Sequence, residues 1–93
     1  MSDRVRLEIR GRVQGVGFRW FTREKARRWG LAGWVRNTAD GGVEVMVEGT
    51  PASIDGLVEM LRAGPPGASV RDVRRVAVDD TTPLPHPFTV LKT

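Results

Sequence analysis

Cysteine and tyrosine are absent from this chain of 93 residues, and histidine occurs once, at position 86. Without cysteine there is no disulfide, no thiol nucleophile and no thiolate ligand for zinc, so packing and backbone pairing must hold the fold. His86 stands between Pro85 and Pro87, a setting that reads as a solvated tail rather than a general base or metal ligand. Long apolar runs are missing too. No segment approaches the length of a transmembrane helix, and Met1 to Arg6 alternate charge and valine where a signal peptide would be apolar. These absences lead to the expectation of a soluble cytoplasmic protein whose chemistry uses oxygen, nitrogen and bound water.

What is present fits one globular unit, residues 1–93, too short to hold two separate cores. Order is expected to be weakest at the ends and in the proline-bearing stretch after Thr82. The net charge of +4 favours anionic partners, but the basic residues are scattered through the chain instead of clustered in one block.

Periodicity divides the chain into alternating strands and helices. Arg4 to Arg10 alternates, with Val5, Leu7 and Ile9 on one face, and reads as a strand. A helix follows from about Trp20 to Trp29, in which Phe18, Thr22, Ala26 and Trp29 share a face and Gly30 serves as the C-terminal cap. Gly33 to Thr38 and Val43 to Glu48 read as strands joined through Ala39-Asp40-Gly41-Gly42, with Val43, Val45 and Val47 pointing inward. Thr50-Pro51 opens a second helix whose Ile54, Leu57, Val58 and Leu61 form an apolar stripe, stopped by Gly64-Pro65-Pro66-Gly67. A strand from about Val70 to Asp79 slips its alternation between Val73 and Val76, where a bulge or a late start is expected. Phe88 to Leu91 closes the chain as a short edge strand. The order is βαββαβ plus a terminal strand. It predicts an α+β, ferredoxin-like split βαβ fold: an antiparallel sheet with two helices on one face.

Between the first strand and the first helix lies Gly11-Arg12-Val13-Gln14-Gly15-Val16-Gly17-Phe18-Arg19. Glycines let backbone N–H groups turn toward one point, a helix N-terminus adds unpaired donors, and arginine supplies a planar cationic fork, a combination suited to phosphate or carboxylate. The nucleotide P-loop needs Lys-Ser or Lys-Thr after its last glycine, but Phe18-Arg19 follows here, and Trp20 stands where the dinucleotide fingerprint needs its third glycine. Taken alone, such a loop also serves as a plain tight connection, with Arg19 exposed in the first turn. Asn37 likewise reads, by itself, as a turn-former near a strand end, although alternation puts it on the face of Val35. Asp79-Asp80 reads as a turn, not a cation site, and Trp20, Trp29 and Trp34 as core or partly covered surface.

The glycine segment, together with Gly33-Trp34-Val35-Arg36-Asn37-Thr38 and Asp40-Gly41-Gly42-Val43-Glu44 in the same order and spacing, closely resembles the acylphosphatase family. The resemblance extends through the second helix to Phe88-Thr89-Val90. It implies hydrolysis of the carboxyl-phosphate bond of small acyl phosphates to a carboxylate and inorganic phosphate. It also implies a phosphate-binding loop formed by Gln14, Gly15, Val16, Gly17, Phe18 and Arg19. Arg19 would hold the phosphoryl group and Asn37 would orient the attacking water. Neither metal nor cofactor is expected. Phosphate and other anions should act as product or inhibitor, and a monomer without membrane or nucleic-acid partners is implied.

The main rival is an RNA-recognition-type module, which shares the βαββαβ layout. Its sheet must present aromatic residues, yet Val43-Glu44-Val45-Met46-Val47 has none.

Overall fold

The computed structural model describes residues 2–92. Its elements are β1 (Asp3–Arg12), α1 (Phe18–Arg28), β2 (Ala32–Asn37), β3 (Val43–Gly49), α2 (Pro51–Ala63), β4 (Ser69–Ala77) and β5 (Thr89–Val90). They build a five-stranded sheet in the order β4-β1-β3-β2-β5. β3 lies between β1 and β2 and is antiparallel to both, and β1 separates β3 from β4 in the same way. Each helix therefore crosses over the strand that separates the two strands it links, as expected for the split βαβ plan.

The strand alternation decides which side is covered. Leu7 of β1 pairs across to Val45 of β3, which pairs to Val35 of β2. All three are fully buried, together with Ile54, Leu57 and Leu61 of α2 and Phe18 and Ala26 of α1. This row of β-branched and leucine side chains against two amphipathic helices is the core, and its burial is the chief source of stability in a protein without disulfides. On the opposite face the neighbouring rows are charged: Arg4 pairs with Glu48, Arg6 and Arg36 with Glu44, and Arg74 with Glu8.

Helix ends follow their local chemistry. Thr50 caps α2 by accepting from the Ser53 N–H, with Pro51 at the first helical position. α1 ends in a Schellman motif: Gly30 takes φ 69° and donates to Arg27 O, and the Leu31 N–H reaches back to Ala26 O at 3.0 Å. The helix thus stops at Gly30 as expected, but Trp29 does not join the core face. Trp29 is the C-cap residue, 40% exposed and outside the core, and its ring lies over Gly56 of α2. A Cβ at Gly56 would come within 2.5 Å of the indole, so a glycine that weakens the helix intrinsically is what lets the two helices meet there.

Three further expectations are corrected. α1 begins at Phe18, two residues before Trp20, because the helical turn starts directly on Gly17. The irregularity in β4 falls at Arg71: Gly11 pairs with Val70 and Arg10 with Asp72, leaving Arg71 as the extra residue, so Val70 and Val73 both reach the core. The sheet is also not wholly antiparallel. β5 runs parallel to β2, with Trp34 opposite Thr89 and Val35 opposite Val90, which makes the sheet mixed.

The proline-bearing stretch is anchored at several points. Arg4 donates to the carbonyls of Asp80 and Thr82 at 2.7 Å each, the Gly33 N–H donates to Pro85 O at 2.8 Å, and Arg27 Nε donates to Phe88 O at 2.9 Å. With Phe88 fully buried, these bonds deliver the last residues to the open end of α1.

Candidate active site

The sheet-to-helix loop is built by two left-handed glycines. Gly15 and Gly17 take φ 75° and 76°, a conformation that a side chain disfavours, and Gly17 is the N-cap of α1. No side chain caps that helix and no acidic residue occupies its first turn. Its leading N–H groups therefore keep their hydrogen-bonding capacity and the positive end of the helix dipole is uncompensated, the arrangement that attracts an anion.

A cavity of about 520 Å³ opens at this end. Gly15, Gly17 and Phe18 from the loop and Arg19 from the first turn line one part of it, and Asn37 from the end of β2 lines another. Arg19 is half-buried and joins none of the ion pairs among the described residues, which leaves its guanidinium fork uncommitted. Asn37 Oδ1 is buried and accepts no hydrogen bond from the described residues. A buried acceptor in that state costs about 1–3 kcal/mol, and here it stands at a cavity where a water or ligand can satisfy it. The structure thus brings Arg19 and Asn37, eighteen positions apart in sequence, to one cavity.

Of the loop residues expected to bind phosphate, Gln14 and Val16 do not line the cavity. Val16 packs against the core. The Gln14 carboxamide points toward the hairpin and donates from Nε2 to Thr38 O and Gly42 O, both at 2.8 Å. This contact locks the loop to the turn that follows Asn37, so one side chain fixes the two halves of the site against each other. Any contact of Gln14 or Val16 with an anion would have to come from the backbone.

The turn is itself braced. Thr38 Oγ1 donates to the Asp40 carboxylate and accepts from the Gly42 N–H, and Arg10 pairs with Asp40 at 2.6 Å. The Thr38 hydroxyl, with the Arg10 guanidinium second, holds the Asp40 carboxyl down at about 2. Since that pKa lies below the ordinary 3.8, the stabilisation is present above about pH 4 and is lost as pH falls toward 2. Asp40→Asn should therefore melt below the parent at pH 7, with the gap in Tm closing between pH 4 and pH 2. A gap that is constant with pH would remove the carboxylate from this account.

Sequence reasoning missed four residues of the cavity wall: Val13, Trp20, Val90 and Lys92. Val90 and Lys92 arrive only because β5 pairs with β2, a contact with no local signal. Val13, at the end of β1, and Trp20, beside Arg19, carried the signal of position alone. The remaining candidates stay apart from the cavity. His86 is exposed, and the Asp80 carboxylate accepts from the Thr82 N–H in a turn, a bond that lowers its pKa. Among the described residues no group of three or more His, Cys, Asp or Glu side chains gathers as a metal site. No helix among the described residues is long and apolar enough to cross a membrane. The open sheet face, where an RNA-recognition module would stack bases, carries paired charges around Trp34 and Met46.

Comparison with known proteins shows the family of this chain. The acylphosphatase family model matches residues 5–90. The chain is 53% identical over 72 residues to an acylphosphatase of Rhizobium etli, covering 77% of each chain. It is 48% identical over 89 residues to one from Gloeobacter violaceus, covering 96% of this chain and 94% of that one. The crystal structure of acylphosphatase from Bacillus subtilis superposes with a TM-score of 0.90 at 36% identity, covering 98% of this chain and 99% of that one.

Proposed function

This chain belongs to the acylphosphatase family and hydrolyses acyl phosphates, and from that premise we propose that Arg19 and the loop amides hold the phosphoryl group while Asn37 holds the water that attacks it. The observation that carries this reading is the shared cavity: an uncommitted guanidinium and an uncapped helix N-terminus on one side, a buried carboxamide oxygen without a partner among the described residues on the other. The first pair suits a phosphoryl group and the second suits a water O–H.

The reaction asks little acid–base chemistry of the protein. Water attacks phosphorus, the bond from phosphorus to the acyl oxygen breaks, and the carboxylate leaves with the electron pair. A dianionic acyl phosphate and water thus yield a carboxylate and dihydrogen phosphate, so both water protons end on the phosphate. One stays on the attacking oxygen and the other passes to a phosphoryl oxygen of the substrate. Because the carboxylate is already a good leaving group, positioning and stabilisation of charge on the transferred group supply most of the rate. Asn37 Oδ1 accepts one water O–H and aims the lone pair opposite the acyl oxygen. The Lys92 ammonium adds a positive charge to the same cavity.

The chain acts in this reading as one domain, a cytoplasmic monomer without metal or cofactor, inhibited by its product phosphate. Purified protein should hydrolyse benzoyl phosphate and acetyl phosphate, and no turnover of either would contradict the reading. Activity should be unchanged after EDTA treatment and exhaustive dialysis. A loss restored by added divalent cation would overturn the metal-free mechanism.

A further inference from the structure

The cavity is larger than a phosphoryl group needs, and one side of its wall has an unused surface. Trp20 lines it yet is 61% exposed, the most exposed of the large hydrophobic side chains among the described residues. Packing does not account for a tryptophan there: the buried face of α1 is Phe18, Thr22 and Ala26, and Trp20 projects away from it. The indole is nevertheless held. Arg23, one turn further along α1, places its guanidinium carbon 4.2 Å from the ring centroid, a cation–π contact that favours this orientation of the ring. Val90 contributes an aliphatic surface to the same cavity.

We infer that the Trp20 indole, steadied by Arg23, is the platform for the acyl group, and that it makes this enzyme favour acyl phosphates with an aromatic acyl group over those with a short aliphatic one. The inference rests on the reading of Arg19 as the phosphoryl anchor. Trp20 lines the same cavity as Arg19 and the loop glycines, so a substrate whose phosphoryl group sits on Arg19 and the loop amides has the indole available on the wall beside its acyl group. An aromatic acyl group meets the indole in an offset or edge-on contact, whereas an acetyl group has too little surface to use it. Trp20 touches the part of the substrate that does not react, so its contact is the same in the ground and transition states. It therefore acts on KM and leaves the chemical step alone.

The test measures kcat/KM for benzoyl phosphate and acetyl phosphate in the parent, Trp20→Ala, Trp20→Phe and Arg23→Ala proteins. Taking the benzoyl-to-acetyl ratio within each protein cancels the different intrinsic reactivities of the two substrates. The ratio should fall three- to tenfold in Trp20→Ala, through a higher KM for benzoyl phosphate, should recover most of its value in Trp20→Phe, and should fall about twofold in Arg23→Ala. An unchanged ratio in Trp20→Ala, or a fall confined to kcat, would overturn the inference while leaving the phosphoryl site intact. Failure of the parent to turn over either substrate would overturn the underlying reading itself.

Discussion

Arg19→Ala is expected to lower kcat/KM for benzoyl phosphate by about a thousandfold or more and to abolish inhibition by inorganic phosphate at millimolar concentrations. The magnitude follows from the role: an arginine that stabilises a transferring phosphoryl group contributes roughly 10³–10⁵ in rate, because its charge and planar fork meet the phosphoryl oxygens where negative charge is carried in the transition state. The uncapped first turn of α1 remains in the variant and retains some affinity for anions, so the loss should be large without being total. Stability should hardly move, since Arg19 joins no ion pair among the described residues and lies outside the buried core. Arg19→Lys restores the charge but not the planar fork and should recover only a small part of the rate. Near-normal turnover in a folded Arg19→Ala protein would remove the phosphoryl anchor from the mechanism.

Asn37→Ala should separate binding from chemistry. Turnover is expected to fall by about 10²–10³, the usual consequence of removing one well-placed hydrogen-bonding group from a reacting site. The inhibition constant of inorganic phosphate should stay within about twofold, because Asn37 contacts the water and not the bound anion in this account. The variant should also be as stable as the parent or slightly more so. Asn37 Oδ1 is buried without a partner among the described residues, and deleting it removes a desolvation penalty of about 1–3 kcal/mol, offset in part by lost packing. Urea denaturation beside the kinetic assay checks both halves. Phosphate affinity lost in step with turnover would show that Asn37 binds the anion, contrary to its assigned role.

Much of this architecture was legible in the sequence where neighbouring residues decide it. Strict alternation in Val43, Val45 and Val47 placed β3, and Thr50-Pro51 with the Ile54, Leu57, Val58 and Leu61 stripe placed α2, because pleat and helix periods act over a few residues. The family resemblance pointed to Arg19 and Asn37, and both line one cavity. What stayed hidden depends on contacts distant in sequence. Alternation is blind to strand direction, so nothing local marked β5 as parallel to β2 or brought Val90 and Lys92 to the cavity. Trp29, which helical periodicity put on the core face, instead lies over Gly56 of α2, a contact distant in sequence. Gln14 read as one more loop amide, whereas its side chain is the tie between loop and hairpin. A side chain that fixes two segments against each other is invisible until both are in place.

The central claim is that water held by Asn37 attacks phosphorus while Arg19 and the loop hold the phosphoryl group. It is tested most directly by hydrolysing benzoyl phosphate in ¹⁸O-labelled water and analysing both products by mass spectrometry after a single turnover. The account predicts one labelled oxygen in inorganic phosphate and none in benzoate. Label in the benzoate would mean attack at the carbonyl carbon, and would contradict it.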